Sequence, residues 1–294
     1  MKVLRAAADG DGFRCELVDA DRPEPASGEV LVRVEASGVN RADLSQIAGR
    51  YPPPPGEPVT LGLELSGTIA GTREPVCALV AGGAHAEYAA VPVGQILPVP
   101  GTTTLRDAAG IPEAFLTAYL NLVVEGGLVR GGRALVHAGA SGVGLAAIRT
   151  ARFLGASVAA TTRSPSKVAA LREAGADPAI DTSVVRFEEA VAAAWGPGSV
   201  DVVLDPVGAD TLSGDLEVLA AGGRIVFLAT MSGARAELDI ARLMGRRGRI
   251  VGSTLRARSR EEKARLVERF RADVLPGFDT GVLRATIDSV YPAD

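Results

Sequence analysis

The 294-residue chain reads as an α/β protein of two domains, a β-rich domain of barrel type and a doubly wound parallel sheet. Three observations predict this. From Met1 to about Leu97, short β-prone segments are broken by Gly, Pro, Asp and Ser clusters. From Ala134 to Ser253, strand-like and helix-like segments alternate regularly, and the length exceeds what one core usually serves. At the first step of that alternation, Ala134-Leu135-Val136-His137 runs into the small-residue turn Gly139-Ala140-Ser141-Gly142-Val143-Gly144.

Taken in order, the early strands are Val3 to Ala7, Cys15 to Val18, Val30 to Ala36, Leu63 to Ala70, Pro75 to Val80 and His85 to Val91, with Asp9-Gly10-Asp11-Gly12 as one of the intervening turns. Arg41 to Gly49 is a helix capped by Asn40. Tyr51-Pro52-Pro53-Pro54-Pro55-Gly56 is a stiff extended connector, since each proline holds its own φ. A helical region over Leu105 to Val124 leads to the alternation. Behind the glycine turn, Val143, Ala147, Ala151 and Leu154 share a helix face, with Arg149 and Arg152 towards the other. The further strands are Ala156 to Thr161, Pro178 to Ile180, Val200 to Asp205, Arg224 to Ala229 and Ile250 to Ser253. Helices over Lys167 to Ala174, Phe187 to Trp195, Thr211 to Leu219 and Leu238 to Met244 lie between them, and a charged helix, Arg260 to Phe270, follows.

Composition removes several function classes. Acidic residues outnumber basic ones, 35 to 31, so no positive excess draws the chain to nucleic acid. No apolar run is long enough for a membrane span and no secretory h-region follows Met1-Lys2-Val3-Leu4-Arg5, which predicts a cytoplasmic protein with no membrane partner. Cys15, Cys77, His85 and His137 are the whole complement of Cys and His and lack the spacing of a zinc site, so no metal is expected. Both thiols are expected to be free and buried.

The turn after the first strand of a parallel sheet is where backbone N–H groups and a helix N-terminus bind a pyrophosphate. Gly139, Ser141, Gly142, Val143 and Gly144 are therefore candidate dinucleotide contacts, with Ser141 standing where the usual fingerprint has its second glycine. Readers of NAD place an acidic residue on the ribose about 20 positions further on. Here the second strand ends Thr161-Thr162-Arg163-Ser164-Pro165-Ser166-Lys167 with no carboxylate. Arg163, Ser164 and Lys167 suit a 2′-phosphate instead, so NADPH is predicted over NADH.

Several segments carry a family likeness: Ala36-Ser37-Gly38-Val39-Asn40-Arg41-Ala42-Asp43-Leu44, Gly49-Arg50-Tyr51-Pro52-Pro53-Pro54, Leu61-Gly62-Leu63-Glu64, Ile111-Pro112-Glu113-Ala114, His137 to Gly144 and Leu255-Arg256-Ala257-Arg258. On these the chain resembles the zinc-independent quinone oxidoreductases, related to zeta-crystallin, of the medium-chain dehydrogenase/reductase superfamily. The resemblance implies a GroES-like domain over residues 1–116 and 257–294, a Rossmann domain over 117–256, and a homodimer formed through sheet edges. Zinc-dependent members hold their metal with a Cys and a His where this chain has Asn40 and Leu63, neither of which suits zinc. The implied active site is a cleft between the domains in which Tyr51 and Asn40, with Ser141 at the turn, serve the acceptor's oxygen. Glu113, Thr117, Asp205, Val207, Phe227, Leu228, Leu255 and Arg256 are implied cofactor contacts.

Two departures from the family pattern are visible. Only Gly71-Thr72-Arg73-Glu74-Pro75 joins two strands that relatives connect by a longer hairpin. The chain also stops at Tyr291-Pro292-Ala293-Asp294 where relatives continue with a helix and a strand, leaving an unpaired sheet edge as the expectation. The implied activity is NADPH-dependent reduction of a quinone. Reduction of an enone or enoyl thioester uses the same hydride-delivery apparatus, and a NADPH-binding sensor or structural protein with little turnover is a third alternative.

Overall fold

The computed structural model describes every residue except Asp11 and Asp294, so those two members of the expected turn and tail lie outside the described residues. Contacts divide the chain into two units, Met1–Leu116 with Leu255–Asp294, and Thr117–Thr254.

The first unit opens with the hairpin β1 (Lys2–Asp9) and β2 (Gly12–Asp19). Almost every residue of β2 faces outward, and this corrects the expectation for Cys15, which is exposed, while Cys77 is buried as expected. An antiparallel sheet follows, built from β3 (Glu29–Ser37), β4 (Glu64–Ile69), β5 (Pro75–Leu79), β6 (Tyr88–Pro92) and β7 (Ile96–Pro98) in the order β6-β3-β4-β5-β7. Val32, Leu65, Val76, Ala78 and Val91 form its core. β4 presses so closely on β3 that a Cβ on Gly67 would collide with the Arg33 carbonyl oxygen, and the ladder is irregular between Val34 and Ala36. The short β4–β5 connection closes on itself: Gly71 and Arg73 take positive φ, and Arg73 N–H donates to Ile69 O at 3.0 Å. β7 is an addition to the sequence expectation, because three residues ending in proline carry no readable alternation.

Helix α1 (Arg41–Ile47) lies between β3 and β4, and α2 (Pro112–Tyr119) continues into a π-helical turn at Leu120–Glu125. The unit boundary falls within α2.

The second unit alternates β8 (Arg133–Val136), α3 (Gly142–Phe153), β9 (Ser157–Thr162), α4 (Val168–Ala174), β10 (Ala179–Asp181), α5 (Phe187–Trp195), β11 (Val200–Asp205), α6 (Leu212–Val218), β12 (Leu219–Phe227), α7 (Ile240–Arg246) and β13 (Arg249–Gly252). All six strands are parallel, in the order β10-β9-β8-β11-β12-β13. This is the order of a dinucleotide-binding sheet, reversing direction at β8 and β11. The central strands read as unbroken apolar runs because both faces are covered, with Ala134 to Val136, Val158 to Ala160 and Val202 to Leu204 all buried. β12 begins five residues before the expected Arg224, and its pairing with β11 is irregular across the Gly222-Gly223 stretch. Back in the first unit, α8 (Arg260–Asp273) starts from a Ser259/Glu262 capping box, and α9 (Leu275–Asp279) sets Phe278 edge-on against Phe115 at 4.8 Å.

Among the described residues no helix is long and apolar enough to cross a membrane.

Candidate functional site

In the second unit, the turn after β8 shows why each small residue is there. A Cβ on Gly139 would come within 2.9 Å of Ala160 Cβ, and one on Gly144 within 2.5 Å of Ala138 O, so both glycines are demanded by close packing of turn, strand and helix. Gly142 is the opposite case: it is exposed with nothing within 4 Å of its missing Cβ. It is the point where a phosphate can approach backbone. Ser141 is the N-cap of α3 and its Oγ accepts from Gly144 N–H at 3.0 Å, which explains a hydroxyl in place of the second glycine. Ala138 takes the left-handed conformation, φ 49°, at a cost of about 1–2 kcal/mol for an L-residue. Bonds on either side hold it there, His137 N–H to Leu204 O and Ser141 N–H to Ala138 O.

The carboxyl ends of β9, β11 and β12 lie on the same sheet edge as this turn, because all the strands are parallel. After β9, Arg163 and Lys167 are exposed, Ser164 is partly exposed, and neither cation has an ion-pair partner among the described residues. No carboxylate ends β9. After β11, Asp205 is fully buried and committed: Oδ1 accepts from Val207 N–H at 2.5 Å and Gly208 N–H at 3.1 Å, and Oδ2 from Thr211 Oγ1 at 2.7 Å. Asp205 thus shapes the loop that presents Val207, which is partly exposed, as are Phe227 and Leu228 at the end of β12. Thr117, at the start of the unit, is buried with no partner for its hydroxyl among the described residues.

Sequence reasoning passed over the polar group behind this edge. His137 is buried between Thr161 Oγ1, 2.9 Å from Nδ1, and Asp215 Oδ1, 2.8 Å from Nε2, with the Phe187 ring edge-on at 4.7 Å. Burial works against the imidazolium, but Asp215, Asp205 and Glu188 outweigh it and hold His137 above its ordinary pKa. The one sequence signal was a histidine closing an apolar strand.

The first unit gathers the remaining candidates around three buried or partly buried carboxyls. Asn40 stands at the N-cap of α1, where the Asp43 carboxylate accepts its backbone N–H at 2.7 Å. Its amide Nδ2 donates to Glu64 Oε1 at 2.8 Å, while Glu64 Oε2 accepts the Glu113 backbone N–H at 2.8 Å. Gly38 makes room for this pair, since a Cβ there would lie 2.6 Å from Glu64 Cδ. Burial pushes the Glu64 carboxyl up to about 7 despite the Asn40 and Glu113 N–H groups. Burial together with Glu64 and Asp43 pushes Glu113 up to about 8 against the pull of Lys263 and Arg256. Asp43 goes the other way: although burial opposes it, bonds from His85 and the Asn40 N–H, then the His85 charge and the Gly62 N–H, keep it low. Tyr51 is raised by burial and by Glu113, and Arg256 partly offsets both.

Leu255 and Arg256 lie with this unit, and Arg256 is buried. Its Nε donates to Ala81 O at 2.7 Å, Nη1 to Tyr51 O at 3.0 Å and Nη2 to Gln46 Oε1 at 2.7 Å. Glu64 stood out in the sequence only as a charge inside the apolar run Leu61 to Leu65, and Asp43 and Lys263 carried no signal of their own.

Two family models match the chain: one described as zinc-binding dehydrogenase over residues 142–271, and one as the alcohol dehydrogenase GroES-like domain over residues 26–101. The quinone oxidoreductase from Thermus thermophilus, solved also in complex with NADPH, is 36% identical with a TM-score of 0.80, the match covering 94% of this chain and 87% of that one. The protein belongs to the medium-chain dehydrogenase/reductase superfamily and is an oxidoreductase. The quinone oxidoreductase of Lama guanicoe is 29% identical over 290 residues, 94% of this chain and 85% of the relative. The JamJ enoyl reductase, in its apo form, is 25% identical with a TM-score of 0.82, covering 99% of this chain and 92% of its own.

The residues present do not fit the zinc in the first model's description. Leu63 is a buried aliphatic residue, Asn40 spends its amide on Glu64, and no group of three or more His, Cys, Asp or Glu among the described residues could hold a metal.

Proposed function

We propose that the protein reduces quinones with NADPH and without a metal. The observation that carries the acceptor class is the 36% identity to the Thermus quinone oxidoreductase over nearly the whole chain. For the cofactor, the support is the open Gly142 turn beside unpaired Arg163 and Lys167, with no acid at the end of β9. Gly139, Gly142, Val143 and Gly144 would hold the pyrophosphate, Arg163, Ser164 and Lys167 the 2′-phosphate, and Thr117, Val207, Phe227 and Leu228 the rest of the dinucleotide.

Bound NADPH would supply a hydride to the quinone, which also takes up one proton to become the hydroquinone. The acceptor oxygen gains negative charge as the hydride arrives, and the Tyr51 phenol donates a hydrogen bond to it. Asn40, anchored to Glu64, fixes the polar wall beside α1. Glu113, pushed up to about 8 by burial and its carboxyl neighbours, favours its neutral form near pH 7 and so would spare the developing oxyanion a negative charge. Ser141 caps α3 with its acceptor lone pair and keeps its O–H free for a ligand.

NADPH oxidation followed with 1,2-naphthoquinone and with a crotonyl thioester tests this reading. Turnover of the quinone alone supports it, and turnover of the thioester alone replaces it with enoyl reduction, the second reading, which the likeness to the JamJ enoyl reductase favours. Tight NADPH binding without turnover of either makes the protein a binder or sensor. Arg163→Glu is expected to lower the preference for NADPH over NADH about tenfold or more. An unchanged preference would remove Arg163 from the cofactor site.

We further propose a homodimer paired through β13. It is an edge strand, α7 beside it has no fully buried residue, and Ile240 and Met244 are 63% and 71% exposed. Ile250→Asp should halve the mass measured by light scattering.

A further inference from the structure

We propose that Arg256 is a positioning residue for Tyr51, holding the phenol for the acceptor, and is not a ligand of the dinucleotide. This rests on the reading of Tyr51 given above. The guanidinium is buried, and three of its five N–H groups are spent on the shell around Tyr51: the Tyr51 carbonyl itself, Ala81 O in the segment after β5, and Gln46 Oε1 on α1. Its Cζ lies over the Tyr51 ring, 5.2 Å from the centroid. One side chain therefore holds both the backbone and the ring face of the same residue. The planar fork makes this possible, because it presents donors in fixed directions that an ammonium cannot reproduce.

Arg256 is itself held. Lys263, buried on α8, donates from Nζ to the Arg256 carbonyl at 2.7 Å. Tyr51 follows directly on Gly49, at φ 70°, and Arg50, and it opens the proline run, so its own segment has no ladder or helix to fix the ring. The clamp supplies that fixing. Burial and then Glu113 on α2 raise the phenol's pKa, and Arg256 partly offsets them. The charged groups around Arg256 are Asp43, Glu57, Glu113 and Lys263.

The test separates this proposal from the reading beneath it. The ultraviolet titration of Tyr51, taken as wild type minus Tyr51→Phe, needs neither cofactor nor turnover, and Arg256→Met should move its midpoint upward. In kinetics with whichever acceptor the wild type turns over, Arg256→Met should lower kcat about 10²-fold, as for a misplaced catalytic group. NADPH Kd, measured by fluorescence titration, should not change. The double variant with Tyr51→Phe should be no slower than Tyr51→Phe alone, because the two act as one unit. Gln46→Leu, which releases one acceptor and leaves the arginine in place, should shift both readouts the same way by less, and serves if Arg256→Met does not fold. A weakened NADPH Kd in Arg256→Met, an unmoved Tyr51 titration, or losses that add in the double variant would overturn the assignment. Full activity of Tyr51→Phe would withdraw Tyr51 from the reaction and the proposal with it.

Discussion

Each unit buries a polar cluster, and the two differ in what faces the carboxyls. In the second unit, Asp205 and Asp215 are met by backbone N–H groups, a threonine hydroxyl and a histidine, and the group ties the ends of β8, β9 and β11 to α6. In the first unit, Asp43, Glu64 and Glu113 crowd one another, and two of them are pushed to about 7 and about 8. The second unit's cluster locks its strands to α6 through His137, although burial pushes the Asp215 carboxyl up to about 7 and its Oδ2 accepts no hydrogen bond among the described residues. A crowded cluster of like charges holds protons at working pH and can change its protonation, the property expected beside an acceptor that gains charge.

The largest expected effect falls on the lock. Asp215→Ala leaves the buried Nε2 of His137 without its partner and should cost about 3–5 kcal/mol in urea unfolding. Replacing both His137 and Asp215 with Leu should recover most of that loss. If the double variant is as unstable as the single one, the pair is not the source of the stability.

Next in size is the proton-holding cluster. Glu64 carries a folded pKa above its ordinary 4.5, so the native state binds more protons than the unfolded chain between pH 4.5 and about 7. Its contribution is complete below that window and declines as pH rises through it, by on the order of 3 kcal/mol. Glu113 extends the same sign to about 8. Thermal unfolding of Glu64→Gln should therefore show a flatter pH profile between 5 and 8, with the variant losing least against wild type at the alkaline end. A profile parallel to wild type would mean that Glu64 is ionised throughout. The smallest effect concerns Ser141: Ser141→Ala should cost about 1 kcal/mol as a lost cap, and Ser141→Gly only a few tenths. Equal losses from the two would contradict the capping role.

What was legible in the chain was local. The strand-turn-helix at Gly139, the parallel sheet implied by regular alternation, the acid-free basic stretch at Arg163 to Lys167 and the cap at Asn40 each rest on residues within a few positions of one another. Cys15 misled because burial of a β-strand depends on what covers it, and the β1–β2 hairpin is open. His137 meets Asp215 across 78 positions, and Arg256 reaches the Tyr51 carbonyl across 205. No periodicity connects such pairs. The sequence by itself determined the parallel sheet, the glycine turn after its first strand and the sign of charge near it, because backbone propensity and hydrophobic period act over short spans. Only the tertiary structure decided which carboxyls hold protons and which arginine grips Tyr51, because desolvation and charge coupling depend on neighbours that the chain brings together from far apart.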